Sequence, residues 1–115
     1  MKFGLFYEHQ IPRPWEDGDE LQLFQEALAQ VELADQLGFD YVWEVEHHFL
    51  EEYSHSSAPE VFLAACSQRT KQIRLGHGIV LHPPAYNHPA RIAERLATLD
   101  LVSNGRVDWG TGESA

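Results

Sequence analysis

Four short apolar segments recur along the chain at intervals of about 32–39 residues, the length of one strand–helix unit. They are Lys2–Tyr7, Tyr41–Val45, Ile73–Leu81 and Arg106–Trp109, rich in β-branched and aromatic residues and mostly apolar, as strands covered on both faces are. The segments between them carry helical periodicity. Leu21, Phe24, Leu28 and Val31 form one stripe that ends at Gly38, with Asp17 and Glu20 spaced as a capping box. Ser57-Ala58-Pro59-Glu60 reads as a second capping box with a first-turn proline, opening a helix to about Thr70. A third helix starts near His88-Pro89, carries Ile92, Leu96, Leu99 and Val102, and stops at Gly105. The order β-α-β-α-β-α-β requires a parallel sheet with helices packed on it.

Such a sheet is either doubly wound or part of a closed barrel. The first strand runs into Glu8-His9-Gln10, with no G-x-G-x-x-G turn, which argues against a dinucleotide-binding fold. A closed barrel needs eight units and typically about 250 residues. The expectation is therefore an α/β chain forming the N-terminal half of a (β/α)8 TIM barrel, one partial domain over residues 1–115; a complete small flavodoxin-like domain is the alternative. Half a barrel would leave inner-face residues such as Val42, Val45, Ile79 and Leu81 uncovered, so the piece is expected not to be a stable monomer. Charge narrows the partners. Residues 1–60 hold fourteen acids against two bases, and the whole chain carries a net charge of -10, which disfavours nucleic acid. A single cysteine, the lack of a signal-like start and the lack of a long apolar run lead to an expectation of a cytoplasmic protein without a membrane span.

In either architecture the chemistry belongs at the carboxyl ends of the strands. His9, His47, His48 and His82 lie at or just past such ends, and His77 lies within the third strand. An imidazole in a dry pocket can move a proton near neutral pH. Glu46-His47-His48 is the densest group. Strand alternation sends His47 and His48 to opposite sides, so one faces the mouth and the other packs or hydrogen-bonds behind it. No metal is expected, because H-x-H and H-E-x-x-H spacings are absent. Gly76 and Gly78 within a buried strand mark either close approach by a ligand or a bulge. Cys66, among Ala64, Ala65 and Ser67, reads as an inert packing residue.

At these strand ends the sequence resembles the bacterial luciferase-like flavin monooxygenases. The matching stretches are MKFGLFY, Gly38-Phe39-Asp40-Tyr41-Val42-Trp43, Glu46-His47-His48-Phe49, Leu75 to Leu81, His88-Pro89-Ala90-Arg91, and Leu99-Asp100 with Ser103-Asn104-Gly105-Arg106. The resemblance implies a barrel enzyme in which reduced FMN reacts with O2 through a C4a-peroxyflavin to oxygenate a small organic substrate. It implies His47 as the catalytic acid/base, and cofactor contacts at Glu46, Gly78, Ile79 and Thr111, with a non-prolyl cis peptide between Gly78 and Ile79. It further implies a flavin reductase that supplies reduced FMN, and a full-length dimer through helices corresponding to Pro59–Thr70 and Pro89–Val102. The luciferase-type reactive cysteine and phosphate-contacting arginine fall on Gly112 and Glu113, so neither carries over, and Arg13 is the one cation near a strand end. Two alternatives stand beside this reading: a dehydrogenase on the same fold using reduced deazaflavin, and a non-catalytic small α/β binding module.

Overall fold

The computed structural model describes residues 1–112. Its elements are β1 (Gly4–Tyr7), α1 (Asp19–Gln36), β2 (Tyr41–Glu44), α2 (Pro59–Arg69), β3 (Arg74–Leu81), α3 (Pro89–Val102) and β4 (Val107–Gly112). The four strands form one parallel sheet in the order β1-β2-β3-β4. A doubly wound sheet reverses direction at a switch point and places later strands on the far side of β1. Here each strand simply follows its predecessor, as the staves of a barrel do.

The helices confirm the choice. Ala27, Leu28 and Val31 of α1, Phe62, Leu63 and Cys66 of α2, and Leu99 of α3 share one core with Val42 and Leu75 of the sheet. All three helices therefore cover the same face, and the opposite face is the inner wall of the barrel segment. That wall differs from expectation. Val42 is 0% exposed, under the helices, and Val45 is 4% exposed, whereas Phe6 is 61% exposed and shares the uncovered face with Trp43, Gly76 and Gly78. The period of two decides this: once Val42 and Glu44 turn toward the helices, Tyr41 and Trp43 must turn inward.

Helix starts also depart from the sequence pattern. Asp17 and Glu20 form no capping box; α1 begins after Gly18, whose φ of 99° suits glycine, and no side chain caps it. Asp19 instead accepts the Glu16 N–H at 2.8 Å. In α2 the cap is Ala58, again without a side-chain bond, and Pro59 at the first turn has no N–H to satisfy. In α3, His88 Nδ1 accepts the Ala90 N–H at 3.2 Å. Leu21 is 67% exposed and lies off the buried stripe, which runs through Ala27, Leu28, Val31 and Ala34.

Two buried charges tie the amino-terminal floor of the sheet together. Asp35 accepts the N–H groups of Lys71, Gln72 and Ile73 at 3.0, 2.9 and 2.7 Å, joining the end of α1 to the entrance of β3. Arg106 donates to Ser67 O, Thr70 O, Thr70 Oγ1, Ile73 O and Ser103 O, all within 3.2 Å. That duty explains why β4 starts at Val107 rather than at Arg106. β3 and β4 slip in register between His77 and Val80, the bulge that the paired glycines allowed.

Candidate functional site

The exit of β2 carries the densest set of polar side chains, and the fold sorts it into three layers. Glu44, the last strand residue, points under the helices. Its Oε1 lies 2.9 Å from His9 Nε2, off the line of a good hydrogen bond, and accepts the Ser56 hydroxyl at 2.5 Å. Burial raises the Glu44 carboxyl, and His9 and Ser56 oppose that rise. His9 itself is walled by Tyr7, Phe24 and Phe62, with ring centroids 5.2, 4.5 and 4.9 Å away. This first layer closes the floor beneath the strand end.

The second layer is Glu46. Its carboxylate accepts the Leu81 N–H at 3.1 Å and the Tyr86 hydroxyl at 2.9 Å, and lies 3.0 Å from His48 Nε2. His48 also meets the Tyr86 hydroxyl. Burial, then the Glu46 carboxylate, pushes the Tyr86 phenol up to about 12. Glu46 thus cross-links the ends of β2 and β3.

His47 forms the third layer. Its N–H donates to Ser56 O at 2.8 Å, its ring packs edge-on to Tyr53 at 5.4 Å, and its Nε2 lies 3.6 Å from Glu8 Oε2. The side chain is 35% exposed. The two adjacent imidazoles therefore diverge, His48 toward β3 and His47 toward the end of β1. The remaining histidines have other work. His77 is buried on the helix side, where desolvation lowers its pKa and holds it neutral; His82 stacks on Trp109 at 5.6 Å; His55 meets Glu20 at 2.9 Å.

Below this rim lies the uncovered wall. The Trp43 indole covers Gly76 so closely that an added Cβ would stand 2.6 Å from Cδ2 and Cζ3. Gly78 is roomier, with Phe6 and Trp43 carbons at 3.6 and 3.7 Å from the same construction. The Gly78–Ile79 peptide is cis, as the resemblance implied. Ile79 packs across Gly112, and a side chain at 112 would collide with its Cδ1. Thr111 is exposed beside it, and Glu113 lies outside the described residues.

The wall fits a flat apolar ring, since two aromatic side chains and a strip without Cβ atoms offer a planar surface. It does not fit a phosphate. Arg13 is held by Glu51 and Glu52 at 2.5 and 3.4 Å, Arg74 by Asp108 at 2.6 Å, and Arg95 by Glu60 at 3.5 Å. Among the described residues no group of three or more His, Cys, Asp or Glu is placed to hold a metal ion, and no helix is long and apolar enough to cross a membrane. Sequence reasoning gave no site role to Glu8, Tyr53, Ser56 or Tyr86. Of these, only Glu8, directly after β1, stood at a position that strand order could flag.

Comparison with known proteins completes the picture. The family model described as luciferase-like monooxygenase matches residues 1–115. Limonene 1,2-monooxygenase of Rhodococcus erythropolis is 42% identical over 114 residues, covering 97% of this chain and 27% of that protein. The oxygenase component of flavin-dependent trigonelline monooxygenase from Acinetobacter baylyi is 34% identical, over 100% of this chain and 31% of that protein. An F420-dependent glucose-6-phosphate dehydrogenase of Amycolatopsis mediterranei is 39% identical over 69% of the chain and 24% of its own length. Among solved structures, monooxygenase RslO1 from Streptomyces bottropensis superposes with a TM-score of 0.85 at 42% identity, over the whole chain and 34% of its own. The oxygenating constituent of 3,6-diketocamphane monooxygenase from Pseudomonas putida, in complex with FMN, superposes at 0.82 with 28% identity, over the whole chain and 30% of its own. The chain spans about a quarter to a third of the length of these relatives. A parallel sheet in sequential order, histidines at the strand ends, an aromatic and glycine-lined inner face, and a family match along the entire sequence converge: the chain belongs to the luciferase-like monooxygenase family.

Proposed function

We propose that the whole protein is a flavin-dependent monooxygenase that uses reduced FMN and O2 to oxygenate a small organic substrate. The observation that carries this reading is the partly exposed imidazole of His47 just past the end of β2, the strand whose Trp43 forms an open wall with Phe6, Gly76 and Gly78, in a chain whose relatives include proteins named as monooxygenases. Reduced flavin, when bound, supplies the electrons that activate oxygen. Phe6 and Trp43 exclude water from one side of the ring, and Gly78 leaves its plane unobstructed. His47 handles a proton at its imidazole, which is 35% exposed and, unlike His48, is not shared with Glu46. Glu46 acts on the flavin edge only through the loop it fixes, because its carboxylate is already engaged by Leu81, Tyr86 and His48. The phosphate is met outside the described residues. A separate flavin reductase supplies the reduced cofactor, in keeping with the trigonelline relative, which is named as an oxygenase component. The whole protein pairs into a dimer through α2 and α3.

The test mixes the whole protein anaerobically with reduced FMN, admits 18O2 and offers limonene as a first probe substrate. Protein-dependent slowing of flavin reoxidation, with one labelled oxygen in the product, is expected. His47→Ala should lower turnover by about 10²–10⁴-fold. Flavin that reoxidises as it does free in solution counts against the proposal. The second reading is a deazaflavin-dependent dehydrogenase, favoured by the F420-dependent relative. Substrate-driven reduction of F420 without oxygen would establish it instead.

A further inference from the structure

We propose that Glu8 is the positioning residue of His47, acting on the imidazole through Nε2; the inference rests on the proton-handling reading of His47 given above. Glu8 follows β1 directly, and Tyr7 pairs in register with Glu44, so the parallel pairing of β1 and β2 carries Glu8 alongside the segment that exits β2. The Glu8 Oε2 atom is shielded from solvent and has no hydrogen-bond partner. A buried carboxylate oxygen without a donor is costly and is found where a donor is meant to reach it. Among the described residues the one cationic or imidazole group within 4 Å of that carboxylate is His47, whose Nε2 stands 3.6 Å from the same oxygen.

Both partners are otherwise constrained. The His47 backbone is pinned to Ser56 O, and its ring leans on Tyr53. Near Glu8 lies the buried Glu44 carboxyl, 2.9 Å from His9, and the two acids act on each other electrostatically. A small rotation of the imidazole closes the 3.6 Å gap to hydrogen-bond length, and such bonds are often long before substrate is bound. Glu8 then holds the proton on Nε2 in the neutral ring, leaves Nδ1 as the lone-pair nitrogen, and stabilises the doubly protonated ring when a proton arrives. This is the logic of an acid/base imidazole oriented by a third group.

The experiment compares Glu8→Gln, His47→Ala and the double variant in the whole protein. Glu8→Gln should lower kcat by about tenfold or more, short of the His47→Ala loss, while leaving KM and the affinity for reduced FMN unchanged. In the His47→Ala background it should cause no further loss, since the residue it acts through is gone. Without any flavin, the ring NMR signals of His47, assigned by their absence in His47→Ala, should move in Glu8→Gln. Additive losses, unmoved ring signals, or a change confined to KM would overturn the positioning role. A fully active His47→Ala protein would overturn the proton-handling reading and this proposal together, so the two failures are distinguishable. Should Glu8→Gln fail to fold, Glu8→Asp, which keeps the charge but withdraws it by one methylene, is judged by the same criteria.

Discussion

Replacing Asp35 by Asn removes one charge and almost no volume, so it isolates what the carboxylate does at the floor of the sheet. Oδ1 accepts from Gln72 and Ile73, and Oδ2 accepts from Lys71. In the variant the amide oxygen can keep the first two bonds, but as neutral ones, which loses about 1 kcal/mol each. The new NH2 group faces the Lys71 N–H, donor against donor, and leaves it unpaired at a cost of about 1 kcal/mol, the low end because that site is only part-buried. The expected loss is about 2–4 kcal/mol at pH 7, measured by urea unfolding of the whole protein. The pH dependence supplies an independent check. Burial alone would raise the Asp35 carboxyl, but its three backbone donors and Arg106 outweigh burial and hold it below the ordinary 3.8. A depressed carboxyl stabilises the fold fully above its unfolded value and loses that contribution as pH falls through the folded value. The gap between wild type and Asp35→Asn should therefore stay constant from pH 7 to about 5 and shrink only on further acidification. A loss under about 1 kcal/mol, or a gap that closes above pH 5, refutes the reasoning.

Gly76→Ala should drive a methyl group into the Trp43 indole, costing about 1–3 kcal/mol and shifting the tryptophan fluorescence as the ring leaves the inner wall; reduced-FMN affinity should fall with it. An unchanged spectrum would mean that the wall does not depend on that contact. Cys66 is fully buried, and burial followed by the Glu44 charge pushes its thiol up to about 12. It should resist a disulfide-exchange reagent in the folded protein at pH 8 and react promptly in denaturant. Fast labelling of the folded protein would contradict that burial.

The element order was legible because each strand–helix unit is encoded locally, by apolar runs, prolines at helix starts and glycines past helix ends. The caps were less legible. Asp17 and Glu20 have the right spacing, yet Gly18 tolerates a left-handed turn that lets the chain enter α1 without them. The assignment of strand faces failed for a related reason. In a mostly apolar strand nothing local distinguishes Val42 from Trp43, and only the packing of three helices on one side selects which of them is covered.

The histidines show most sharply what a sequence can and cannot disclose about a site. Five of them gathered at or near the strand ends, and position along the chain treats them alike. Partners separate them, and each has one remote in sequence: Phe62 for His9, Tyr86 for His48, Trp109 for His82, Glu8 for His47. Each of the four packs on an aromatic ring, but only His9 is fully buried there, and burial lowers the pKa of His77. His47 keeps a third of its side chain open, and a solvent-shielded Glu8 oxygen without a hydrogen-bond partner stands 3.6 Å from it. The same parallel pairing that sets Tyr7 against Glu44 brings Glu8 to it. The acid surplus of the first sixty residues therefore has a structural use at the mouth: Glu44, Glu46, Glu51 and Glu52 each bind a neighbouring loop or ring of this chain. Among the described residues, Arg13 at this corner is thus already paired with Glu51 and Glu52, while His47 has only the Glu8 carboxylate within 4 Å.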